Sequence, residues 1–101
     1  MAFFVSRVVV NDPDQLLQVS DSLRRLKELY GCTHSWVLQA FHEPNTFLLI
    51  QEFPSMLDVF KYAEHLAHQN VVQSAGVTDF RPEFYEDFSD ITQLAGDAPI
   101  P

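Results

Sequence analysis

The chain has 101 residues, 47% hydrophobic and 20% charged, which suits one globular domain and excludes a disordered chain. Fourteen acids against six bases give a formal net charge of −8, an acidic surface that argues against nucleic-acid binding and against docking on anionic membranes. Cys32 is the only cysteine, so no intrachain disulfide forms, and no run approaches the roughly 20 apolar residues of a membrane span.

The start, Met1-Ala2-Phe3-Phe4-Val5-Ser6-Arg7, lacks the basic leader and long apolar core of a secretory signal. Cytoplasmic residence is the default expectation. Residues 3–10 read as a strand rich in Phe and Val, apolar on both faces: Phe3, Val5 and Val9 on one, Phe4, Val8 and Val10 on the other. Asn11-Asp12-Pro13-Asp14 ends it, with Asp12 a natural N-cap, Pro13 suited to the first helical turn and Asp14 near the positive helix end. Leu16, Val19, Leu23, Leu26 and Tyr30 then recur at three- and four-residue steps, which predicts one amphipathic helix closed by Gly31.

Residues 32–42 read as a second strand, with Cys32, His34, Trp36, Leu38 and Ala40 on one face. Glu43-Pro44-Asn45 is the expected turn and 46–53 the third strand, so the pair makes a hairpin. Pro54-Ser55 ends that strand. Ser55 is a plausible cap for a second helix, with Asp58 three residues on as a short-armed capping box. Met56, Val59, Phe60, Ala63, Leu66 and Ala67 form the apolar stripe of that helix, which is expected to fray near Gln69-Asn70, resume to about Ala75 and break at Gly76. Residues 77–88 read as a last strand, with Phe80, Phe84 and Phe88 on one face. Pro82 restricts it to a sheet edge or a bulge. The tail 89–101 has no periodicity, and the acid excess is concentrated from Val77 onward.

The order β-α-β-β-α-β matches a ferredoxin-like α+β fold with an antiparallel sheet, a single domain over 1–101 with its core at about 3–88. Two helices cover one sheet face. The other face is too apolar for a monomer, and burying about 600 Å² of it per chain is worth roughly 15 kcal/mol before association costs. A two-fold homodimer is the expected outcome.

These features carry a family resemblance. The strand Phe3–Val10 followed by Asn-Asp-Pro, Gly31-Cys32-Thr33-His34-Ser35 after the first helix, Glu52-Phe53-Pro54-Ser55 and Glu64-His65-Leu66-Ala67-His68 resemble the antibiotic biosynthesis monooxygenase family of dimeric α+β barrels. The resemblance spans Phe3 to about Phe88 and implies two sheets paired into a barrel, helices outside, and a small, often aromatic, molecule between each sheet and its own helices. The activities it implies are oxygenation of polyphenols without metal or flavin, quinol oxygenation and haem degradation. The chain departs from the family pattern in several places. The usual Trp ending strand three is Phe53, the Asn four residues earlier is Leu49, and the second His of the helix-two stretch aligns with Asn70. The haem-degrading branch has an Asn in strand one, nearest Ser6 here, and a helix-two Trp that this chain lacks. Haem degradation is therefore disfavoured.

The candidate catalytic residues are His65 and His34. Imidazole exchanges a proton near neutral pH, and cofactor-free oxygenation needs a base to make an electron-rich phenolate or carbanion. His65 also matches a family position at the cleft edge, with a surface histidine as its bland alternative. Trp36 and His34 share a strand face. They contact a ligand if that face lines the cleft, and are core or interface residues if it does not. Phe53 and Tyr62 are further candidate pocket residues. Arg7, mid-strand, either binds an acidic substrate group or pairs with Glu52, the pair being favoured. His65 and His68 are three apart, yet two local ligands make no metal site, so neither metal nor other cofactor is expected. No phosphate loop or Gly-x-Ser-x-Gly turn is present. The leading expectation is a monooxygenase-like protein acting on a small aromatic or polyketide-like molecule. The alternatives are a non-catalytic ligand-binding or assembly module of the same dimer, and a cyclase or isomerase.

Overall fold

The computed structural model describes residues 1–68, 73 and 75–87. Phe88, the tail 89–101, Asn70 and the expected continuation of the second helix over 69–72 lie outside the described residues. Strand β1 (Ala2–Val10) is followed by helices α1 (Pro13–Gln18) and α2 (Ser20–Leu29), strands β2 (His34–Ala40) and β3 (Glu43–Phe53), helix α3 (Met56–His68) and strand β4 (Val77–Glu86). The four strands form one sheet in the order β2-β3-β1-β4, every neighbour antiparallel. This is the ferredoxin-like arrangement predicted from the element order, with β4 at an edge, one of the two placements Pro82 allows.

The local signals act as their chemistry dictates. Asp12 Oδ1 accepts from the Asp14 amide at 3.0 Å, with Pro13 in the first turn. Gly31 leaves the helix at φ 79°, a left-handed conformation that a side chain would strain. Ser55 Oγ accepts from the Asp58 amide at 3.3 Å and donates to Asp58 Oδ2 at 2.8 Å.

Several element boundaries differ from the sequence reading. The first helix is two helices, because Val19 sits at φ −97°, ψ 3° between them. The apolar stripe runs on across the break: Leu16, Val19, Leu23, Leu26 and Tyr30 all face inward. The periodicity therefore gives no warning of it. The hairpin turn is Phe41-His42 rather than Glu43-Pro44-Asn45, and β2 starts at His34 rather than Cys32. The register shifts between Gln39 and Ala40, so Pro44 falls where no ladder donor is required. Gln39 Nε2 donates to the Pro44 carbonyl at 2.8 Å.

Directly paired residues share a sheet face. Ala2, Phe4, Ser6, Val8 and Val10 of β1 are all at most 2% exposed and face the helices. Phe53, Val59, Tyr62, Leu66 and Leu26 complete this core. The opposite face carries the rows Trp36–Ile50–Val5 and Leu38–Leu48–Arg7, with Phe3 beside Glu52. No described helix covers it.

Candidate functional site

The sequence-predicted residues fall into two groups on opposite faces of the sheet. Tyr62, Phe53 and His65 lie on the helix side. His34, Trp36 and Arg7 lie on the open face, in register with Glu52, Ile50 and Leu48 respectively. Alternation along the strands separates the groups, so no single cleft holds both.

On the helix side, α3 and β4 diverge to leave a cleft of about 400 Å³ walled by Phe4, Ala63, Leu66, Ala67, Phe80 and Phe84. Small residues on one turn of α3 create the opening, because Ala63 and Ala67 have nothing beyond Cβ to fill it. A smaller chamber of about 30 Å³ lies deeper and shares Phe4, Leu66 and Phe80 as walls. Ser6, Gln51 and Tyr62 are the polar residues lining that chamber. Tyr62 is 1% exposed, with its ring 5.1 Å from Phe53 and 5.7 Å from Phe4. Burial pushes its hydroxyl well above the ordinary phenol range, with Cys32 adding to the rise and a hydrogen bond from Gln51 opposing it. Tyr62 is therefore a neutral donor at physiological pH. Phe53 is fully buried behind Tyr62 and lines neither cavity.

His65 lies on the α2 side of α3. Its Nδ1 is hydrogen-bonded to the Tyr30 hydroxyl at 2.9 Å, beside a depression of about 270 Å³ lined by Tyr30, Lys61, Glu64 and His65. His65 does not line the apolar cleft. It connects to it through stacked edges, His65 to Tyr30 at 5.7 Å, Tyr30 to Tyr62 at 6.5 Å, then Tyr62 to Phe4. Tyr30 is the member that sequence reading treated only as a helix position. Its signal was there: a Tyr closing the apolar stripe, with a polar tip to satisfy.

On the open face, His34 stacks on Trp36 at 5.8 Å and 17°. His34 Nδ1 donates to Glu52 Oε1 at 2.9 Å, and Thr33 Oγ1 donates to the same oxygen at 2.6 Å. The expected Arg7–Glu52 pair is therefore corrected. Arg7 instead meets Glu43 at 3.4 Å and Asp79 at 3.8 Å, because Glu52 lies four residues along β3 from Leu48, the partner of Arg7, and is already engaged. Thr33, and after it His34, hold the Glu52 carboxyl below its usual range. The folded chain thus binds that proton less readily than the unfolded chain. The contribution is complete above the ordinary carboxylate value of about 4.3 and is lost as pH falls through the lower folded value. Urea midpoints should show wild type losing its advantage over Glu52→Gln between about pH 5 and pH 3.

Burial raises the Cys32 thiol above its ordinary range, which makes it a poor nucleophile. Among the described residues, no group of three His, Cys, Asp or Glu side chains is placed to hold a metal, and no helix is long and apolar enough to cross a membrane.

No family model and no curated protein sequence matches the chain. Solved structures do. SnoaB, a cofactor-independent oxygenase from Streptomyces nogalater, superposes with a TM-score of 0.70 at 13% identity, covering 87% of this chain and 93% of that one. An antibiotic biosynthesis monooxygenase gives 0.60 at 16% identity over 87% and 99%. A dimeric ferredoxin-like protein from an uncultured marine organism gives 0.60 at 10% identity over 88% and 96%. The chain has the antibiotic biosynthesis monooxygenase fold.

Proposed function

We propose that the chain is a homodimer that takes a small hydroxylated aromatic molecule into the cleft between α3 and β4 and oxygenates it without metal or flavin. The observation that carries this is the cleft itself: about 400 Å³, walled by aromatic rings, beside a buried Tyr, in a fold shared with a cofactor-independent oxygenase. Ligand sites of this size are mostly apolar with a few placed polar groups. In the reaction, a phenol loses its proton, the phenolate passes an electron to O₂, and the two recombine at a ring carbon bearing hydrogen. Collapse gives a quinone and water, so phenol plus O₂ becomes quinone plus H₂O, with all the electrons supplied by the substrate. His65, hydrogen-bonded to Tyr30, is assigned the base, exchanging the proton by way of the open depression beside it rather than by direct contact with the cleft. Trp36, His34 and Arg7 are assigned to the dimer interface instead, since no described helix covers their face, which carries Phe3, Val5, Leu48 and Ile50.

A second reading has its own support. None of the described residues lining the cleft carries a titratable side chain, which suits a non-catalytic binding module. An oxygen electrode separates the two. With 1-naphthol and dihydroxynaphthalenes, enzyme should consume O₂, and His65→Ala and Tyr30→Phe should each lower turnover by about 100-fold or more, the usual size of acid–base contributions. Binding without O₂ uptake in wild type favours the binding module. Ala63→Phe should abolish binding in either case, because it fills the cleft from the α3 side.

A further inference from the structure

Gln51 is 5% exposed, and its Oε1 has no hydrogen-bond partner among the described residues. Its amide NH2 is turned to the Tyr62 hydroxyl, whose ionised form it favours. A primary amide has a donor end and an acceptor end. Here the donor end is engaged and the acceptor end is not. A buried acceptor left unsatisfied carries the desolvation cost of that group without return, and a leucine would pack the site without that cost. The residue stands on β3 directly opposite Phe4, a ring that walls both cavities, and it lines the inner chamber itself. The chamber's volume of about 30 Å³ admits one hydroxyl-sized group. Of the other walls, Leu16, Leu23, Leu49 and Leu66 offer no donor, and the hydroxyls of Ser6 and Tyr62 make no hydrogen bond to Oε1.

We infer that Gln51 is the specificity-determining residue of this pocket: its Oε1 accepts a hydrogen bond from an O–H or N–H of the ligand, whose ring occupies the outer cleft. The inference rests on the proposed ligand cleft and adds the requirement for a donor at the ligand's inner end. A site with an amide acceptor in an apolar setting rejects a ligand that lacks the donor, because the acceptor then stays unpaired.

The test titrates the full-length protein with 1-naphthol, naphthalene and 1-methoxynaphthalene, following heat by calorimetry, and the Gln51 side-chain amide by ¹⁵N NMR. The expected result is 1-naphthol binding at least tenfold tighter than either analogue, with the Gln51 amide signals shifting for 1-naphthol alone. Gln51→Leu should reduce the ratio to near one while keeping naphthalene binding. If that variant fails to fold, the wild-type NMR shifts decide. Equal binding of all three by wild type overturns the role of Gln51 and leaves the cleft intact, its Oε1 then being served by solvent. An equal gain for the acceptor-only ether overturns the donor requirement. Absence of binding by any of the three, at concentrations up to their solubility, overturns the cleft and Gln51 together.

Discussion

Ile50→Asp is expected to dissociate the protein into folded monomers, raising the dimer dissociation constant by at least about a hundredfold, or roughly 3 kcal/mol. Ile50 is the middle of the row Trp36–Ile50–Val5 on the open sheet face. Within one protomer it is only half-buried, so a carboxylate there remains hydrated and the monomer keeps its core. In a two-fold pair the same position is buried twice, and each new charge faces a surface whose β4 side already carries Asp79 and Glu83. Desolvation and like-charge repulsion then act together. Sedimentation velocity over a hundredfold range of concentration reads the outcome. A variant that still sediments as a dimer at low micromolar concentration removes this face from the interface.

The face in question was legible from alternation alone. Phe3, Val5 and Val9 against Phe4, Val8 and Val10 required cover on two sides, and the chain holds helices for one. The caps at Asp12 and Ser55, the glycine at Gly31 and the restriction of Pro82 to an edge or a bulge were equally local, each set by one side chain and its neighbours. What escaped the sequence was non-local. The break at Val19 leaves the apolar stripe intact, so the pattern is the same for one helix or two. The hairpin turn moved because the pairing of Gln39 with Phe47 fixes the register, and that pairing is invisible in Glu43-Pro44-Asn45 read on its own.

The candidate site was legible only in part, for the same reason. His34 and Trp36 were correctly placed together, and the structure stacks them, but which face they occupy depends on the strand beside them. Arg7 was matched to Glu52 by charge, whereas the register sets Arg7 opposite Leu48 and leaves Glu52 to Thr33 and His34. Tyr30 and His65 are 35 positions apart and meet only because α2 and α3 pack side by side. Gln51, read in sequence alone, is only a polar residue within a strand. Its unpaired oxygen emerges only when Tyr62, from a different element, is seen beside it.

Phe3→Ala and Phe4→Ala should have different consequences although the residues are adjacent and identical. Phe4 is 2% exposed and touches Tyr62, Phe80 and Phe84, with ring centroids at 5.7, 6.4 and 5.5 Å. Its truncation removes the ring's transfer energy and leaves a cavity, a loss of about 3–5 kcal/mol from a total that for domains is about 5–15 kcal/mol. That corresponds to a Tm lower by at least about 12 °C for a chain of this size, at every protein concentration. Phe3 points to the open face and is only half-buried in the protomer. Its loss falls on association, so its effect should grow with protein concentration as dimer stability enters by mass action. Thermal unfolding of both variants across a hundredfold concentration range separates the two. Two parallel, concentration-independent losses of similar size would place both rings in one core and contradict the two-faced strand on which the cleft, the interface and the role of Gln51 all depend.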